Sequence, residues 1–297
     1  MARASSGDIE IEYEVQGFYD DDPPLVLIAG LGAQLIFFED EFVQGLIDRA
    51  FRVIRLDNRD VGLSSWLDDH PVDLGEVSAA VAAGEQPDVP YTLSDMAADV
   101  VAVLDDAGID RAHVLGVSLG GMIAQTLAIE FPDRVQSLSL LSSTTGAPDV
   151  GQPSPEALEA ILAPAPEDQS RDAIVEADVA ARTIWSTAGH FDEEWTREYF
   201  AASFDRGHHP SGQTRQMAAI LTAPDREPDL AGLDVPTVIL HGTADTLVAP
   251  DGGARLAELI PGAELVELDG MGHDLPPHYW APIIEAITQL AVSAAHG

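Results

Sequence analysis

The sequence predicts an α/β fold, a mostly parallel, doubly wound sheet with an inserted helical cap. Three observations carry that expectation. Short apolar runs bounded by turn residues alternate with amphipathic helical patterns along most of the chain. One of these runs, Val114 to Val117, drives into Gly116-Val117-Ser118-Leu119-Gly120, and an apolar helical pattern follows through Met122, Ile123, Leu127 and Ala128, giving strand, sharp turn and helix. The rhythm then breaks between about Thr144 and Glu227, where prolines open a stretch of helical patterns without a convincing strand, and resumes at Thr237. The expected organisation is a core of residues 1–143 and 228–297 with a helical cap over 144–227.

Taken in order, Asp8 to Val15 alternates apolar and acidic residues and reads as a half-exposed first strand. Leu25 to Ile28 is a short continuous apolar run, as a strand buried on both faces requires, and it empties into the glycine-containing loop Ala29-Gly30-Leu31-Gly32. A helical pattern over Phe38 to Ala50 precedes a strand over Phe51 to Leu56, which closes in the polar turn Asp57 to Ser64. Residues 67–91, rich in Asp, Gly and Pro, read as a surface excursion. Thr92 is placed to cap a helix running through Leu104. After the glycine–serine turn come a helix to Phe131 and a strand over Val135 to Leu141. Within the cap, Asp192 to Phe204 has acidic residues in its first turn and large rings near one face. The closing pattern is strand Thr237 to Leu240, helix Gly253 to Ile260, strand Ala263 to Leu268 and helix Tyr279 to Ala291.

Composition narrows the function classes. With 297 residues, 46% of them hydrophobic, the chain can bury a sizeable core, and no apolar run approaches the roughly 20 residues that span a bilayer. The first residues lack the apolar stretch of a signal peptide, so a cytoplasmic location is expected. Cysteine is absent, which excludes disulfides, thiolate metal sites and a cysteine nucleophile. The 51 acidic residues outnumber 14 basic ones, all arginine, for a formal charge of -37. Such a surface repels nucleic acid and anionic membranes, so neither is an expected partner. The nine histidines are scattered, no metal cluster is expected, and the adjacent His208-His209 reads as a surface turn before Pro210.

Chemistry concentrates at Ser118. A serine flanked by glycines between a buried strand and a helix sits in a strained turn, with the free N–H groups of the helix beside its hydroxyl. A serine hydroxyl needs a base, and the base needs an acid to hold its tautomer. His241-Gly242-Thr243-Ala244-Asp245 follows one late strand, and Gly270-Met271-Gly272-His273-Asp274 follows the next. Asp245 and His273 are therefore the candidate acid and base. Asp149, just after the strand that follows the Ser118 helix, is the competing acid. Two N–H groups must hold the oxyanion, and the candidates are Leu119, next to the nucleophile, and Leu31, in the loop after Leu25 to Ile28.

These blocks, together with Asp57-Asn58-Arg59-Asp60-Val61-Gly62-Leu63-Ser64, resemble the α/β-hydrolase superfamily over nearly the whole chain. Within it the chain looks most like the branch of aclacinomycin methylesterase and 3-oxoadipate enol-lactonase. Ala29 and Leu119 depart from the histidine and methionine that many members carry there. The resemblance implies a serine carboxylesterase working through an acyl-enzyme, without cofactor, on small to medium esters with an apolar portion. The same machinery serves lactonases, carbon–carbon bond hydrolases and cofactor-free perhydrolases, and a hydrolase fold can also act as a binding module without turnover. Trp185, Trp195, Tyr199 and Phe204, with Phe191 and Phe200, are the aromatic candidates for the substrate pocket; the competing expectation is that they form the cap's own core.

Overall fold

The computed structural model describes residues 1–19 and 21–295. It opens with a strand that the sequence pattern does not announce, β1 (Ala2–Ser6), because only Ala4 of its five residues is buried. Gly7, at φ 61°, turns the chain into β2 (Ile9–Gln16), which pairs antiparallel with β1. Next come β3 (Pro24–Ile28), α1 (Asp40–Ile47) and β4 (Arg52–Leu56). Helix α1 starts later than the apolar pattern suggests. Phe38 is drawn fully into the core, and the helix begins where Asp40 and Glu41 meet its positive N-terminal end.

The 67–91 excursion contains a helix, α2 (Leu74–Ala82), capped by the Asp73 carboxylate. Thr92 caps α3 (Leu93–Asp106) through a reciprocal box with Asp95, worth about 1 kcal/mol. Strand β5 (Ala112–Val117), α4 (Leu119–Glu130) and β6 (Val135–Leu141) follow. Between β6 and the next strand lie five helices, α5 (Pro155–Ile161), α6 (Arg171–Trp185), α7 (Glu193–Gly207), α8 (Pro210–Leu221) and the short α9 (Glu227–Leu230). The chain ends with β7 (Thr237–Gly242), α10 (Pro250–Leu259), β8 (Glu264–Leu268) and α11 (Trp280–Ala294).

Among the described residues, eight strands form one sheet in the order β1-β2-β4-β3-β5-β6-β7-β8, parallel from β4 to β8. Alternate residues of a strand enter opposite layers: Val26 and Ile28 pack with α3 and α4, whereas Leu25 and Leu27 pack with α1 and α11. The sheet is thus sealed on both faces, and the carboxyl ends of β3, β5, β7 and β8 are left to build a site between them.

Two buried ion pairs fasten the helices between β6 and β7 to the turn after β4. Arg206 of α7 reaches the Asp57 carboxylate at 2.5 Å, and Arg215 of α8 grips both oxygens of Asp60 at 2.7 and 2.8 Å. Arg215 is 1% exposed, the bulkiest of the fully buried side chains. Charges this deep are held only where the partner and its remaining lone pairs are satisfied. Asp57 also accepts from Leu35 N and Leu63 N, and Asp60 from Leu67 N.

Candidate active site

The turn from β5 into α4 holds Ser118 at φ 56°, ψ -118°, a conformation that L-residues adopt only under compulsion. Small neighbours make it possible. A Cβ on Gly116 would strike the Gly120 carbonyl, and one on Gly120 would strike the Ile28 carbonyl. Ser118 N donates to Leu141 O at 2.9 Å, and Ser143 Oγ donates to Ser118 O at 2.9 Å, so the strained residue is pinned from β6 and the turn beyond it.

Asp245 and His273 stand on the loops after β7 and β8. His273 Nδ1 lies 2.7 Å from Asp245 Oδ2, while Asp245 Oδ1 accepts from Leu247 N at 2.9 Å and Val248 N at 2.8 Å. Burial alone would raise the Asp245 pKa, but the charge interactions and side-chain hydrogen bonds of His273 and His241 outweigh it and hold the carboxyl well below the ordinary carboxylate range. An ionised Asp245 can only accept, so His273 Nδ1 carries the proton in this contact and Nε2 faces away from the carboxylate. His241 donates from Nε2 to Val248 O at 2.9 Å and supports the same loop. Asp149 is elsewhere: its carboxylate is largely exposed and pairs with Arg255 at 2.8 Å.

Ser118 and His273 open onto one cavity of about 630 Å3, without a hydrogen bond between them. Nucleophile and base are commonly loose until substrate tightens them. Leu31 lies on the same cavity wall, and Gly30 approaches Ser118 so closely that an added Cβ would sit 3.3 Å from the serine Cβ. Leu119 is the first residue of α4, where a helix N–H has no carbonyl to bind.

Three of the four expected pocket aromatics, Trp185, Tyr199 and Phe204, line this cavity, joined by Phe200. Trp195 does not: it stacks behind Tyr199 at 5.6 Å, packed against the core that α1 and α11 cover, and Phe191 also lies outside the lining. A helical stripe shows which rings share a face, but not which of them the neighbouring core covers. The His208-His209 pair is not a surface turn. Both imidazoles line the cavity, His208 stacked on Phe204 at 4.6 Å and His209 on Trp66 at 4.0 Å, because α7 ends and α8 begins over the site. The lining is not wholly apolar. Asp178 and Arg182, the latter over the Phe37 ring at 5.6 Å, lie one turn apart on α6.

The loop that carries His273 is tied to the end of α6, a feature with no sequence signal. His273 N donates to Trp185 O at 2.6 Å, Gly272 N to Thr187 Oγ1 at 2.9 Å, and Thr187 N to Asp274 Oδ2 at 2.9 Å. The imidazole is thus held from below by Asp245 and its backbone from above by the helices that follow β6.

Comparison with known proteins places this geometry in a family. The chain is 30% identical to rhodomycin D methylesterase DnrP of Streptomyces peucetius, with 90% of each chain covered. It is 25% identical to 3-oxoadipate enol-lactonase 2 of Acinetobacter baylyi, with 94% of this chain and 93% of the relative covered. Among solved structures it resembles the enol-lactonase from Burkholderia xenovorans LB400 with a TM-score of 0.69 at 25% identity, over the full length of both chains. The family model described as alpha/beta hydrolase fold matches residues 23–276, and the chain belongs to that family.

Proposed function

We propose that the protein is a serine carboxylesterase that hydrolyses small to medium esters with an apolar portion. The observation that carries this reading is the 2.7 Å contact between Asp245 and His273 above a strained Ser118 on one cavity. Ser118 Oγ attacks the ester carbonyl carbon as its proton passes to His273 Nε2, and the Leu31 and Leu119 N–H groups receive the developing oxyanion. Collapse expels the alkoxide, which takes the proton from His273 and leaves as the alcohol. Water, deprotonated by His273, then attacks the acyl-Ser118, and the acid departs with Ser118 reprotonated. The similarity to a methylesterase and to enol-lactonases supports acyl transfer to water.

The test is chemical. An organophosphonate should label Ser118 and no other serine, and Ser118→Ala should lower kcat by several orders of magnitude while the protein stays folded. Labelling elsewhere, or near-normal turnover in Ser118→Ala, would overturn the assignment. A panel of open-chain esters and lactones, varied separately in acyl and alcohol parts, then reads which acyl compounds the cavity prefers.

A further inference from the structure

The loop after β3 carries Leu31, and three polar contacts fix it. Asn58 Nδ2 donates to Ala29 O at 3.0 Å, Ala33 N donates to Gly30 O at 3.2 Å, and Gly32 N donates to the side-chain carbonyl of Gln216 at 2.9 Å. Gly32 has φ +67°, so the turn depends on a left-handed residue as well as on these bonds. Gln216 belongs to α8, among the helices between β6 and β7, and is completely buried. Its amide nitrogen donates to Arg59 O at 2.9 Å, and the Arg59 guanidinium holds both oxygens of Asp99 at 2.6 and 2.7 Å. The Gln216 amide is therefore satisfied on both sides and has no freedom to turn. It occupies Gly32 N–H, as Gly30 O occupies Ala33 N–H, so neither of these donors competes with Leu31 N–H.

We propose that Gln216 is a positioning residue of the oxyanion hole, so that a helix remote in sequence sets the aim of Leu31 N–H. The inference rests on the ester chemistry proposed above. Oxyanion donors act only if they point where charge develops in the transition state, and a displacement of about 1 Å can cost about 100-fold in rate. Gln216 touches neither the ester nor Ser118. Its effect passes through two adjoining peptides: with Gly32 N–H released, the Leu31–Gly32 peptide can rotate, and the Gly30–Leu31 peptide, which carries the Leu31 N–H, shifts with it through the shared Leu31 Cα.

The experiment compares Gln216→Leu and Gln216→Glu with the unmodified enzyme. Leucine fills the space but accepts nothing. Gln216→Leu should lower kcat by about 10- to 100-fold with KM changed by less than about threefold, and weaken a trifluoromethyl ketone inhibitor, which forms a tetrahedral adduct on serine, by the same factor as kcat/KM. Gln216→Glu keeps an acceptor for Gly32 N–H and should recover part of that loss. A core truncation on α9, Leu230→Ala, which removes no hydrogen bond from the loop, controls for lost stability and should leave kcat unchanged below its melting temperature. Should Gln216→Leu not fold, Gln216→Asn, which keeps the amide but shortens its reach, is judged by the same criteria. A kcat within twofold of the unmodified enzyme, a loss confined to KM, or an equal loss in Leu230→Ala overturns the proposal. If Ser118→Ala is also active, the ester reading itself has failed; if Ser118→Ala is dead and Gln216→Leu is normal, only the role of Gln216 has.

Discussion

At the scale of single residues, the sequence left two candidate acids, and one of them meets His273. Asp245 is buried against His273, whereas Asp149 is an exposed partner of Arg255. Asp245→Asn should lower kcat by about 10⁴-fold, because an amide no longer fixes the imidazole tautomer. Asp149→Asn should leave kcat near that of the unmodified protein, since a surface ion pair contributes about 0–1 kcal/mol. Steady-state kinetics on the two variants decides, and a crippled Asp149→Asn would move the acid to the end of β6. Ser118, Asp245 and His273 were legible because each stands in a glycine-bearing block directly after a buried strand. Gln216 and Thr187 were not. Their partners lie 184 and 87 positions away, at Gly32 and Asp274, and no local pattern encodes such a hydrogen bond.

Among the elements, α7 holds two kinds of ring on one helix. Phe204 lines the cavity and Trp195 packs behind it, so their truncations should differ in kind. Phe204→Ala should change kcat/KM unevenly across ester chain lengths, by about 1–3 kcal/mol for the best-fitting chain. Trp195→Ala should instead lower stability by about 2 kcal/mol, less than a fully buried ring would, with relative preferences unchanged. Kinetics over an ester series and denaturant melts check both. The N-terminus of α1 gives a pH-dependent case. Burial, then Glu41 and Asp192, push the Glu39 carboxyl up to about 7, against the hydrogen bond from Trp195. A folded-state pKa above the unfolded one means that the native protein binds the extra proton, so stability is lost as pH rises from about 4.5 through about 7. Glu39→Gln should therefore raise the melting temperature at pH 8 and change it little at pH 5. An equal shift at both pH values would contradict this. The element series itself was readable because buried parallel strands are short apolar runs and Thr92 is a strong helix cap. Strand β1 and helix α2 escaped because so few of their residues are buried, only Ala4 in β1 and Val77 in α2.

For the whole molecule, the charge balance decides how it meets salt. Among the described residues, ten of the fourteen arginines are in ion pairs, and acidic side chains far outnumber these cations, on a surface that repels itself. The screening length falls from about 8 Å at physiological ionic strength to about 3 Å at 1 M. The melting temperature should hold or rise as NaCl goes from dilute to molar, and a clear fall would count against the idea. Composition foretold this surface, but not that arginines would be spent below it, on Asp57 and Asp60. Those two pairs bear on modular excision. A minimal hydrolase made by cutting out α5 to α9 would leave both carboxylates without a counter-cation, and breaking a buried pair from one side costs about 3–5 kcal/mol. The sheet could not simply be inherited bare. Its floor would have to be rewritten as Asp57→Asn and Asp60→Asn before a shortened chain could stand.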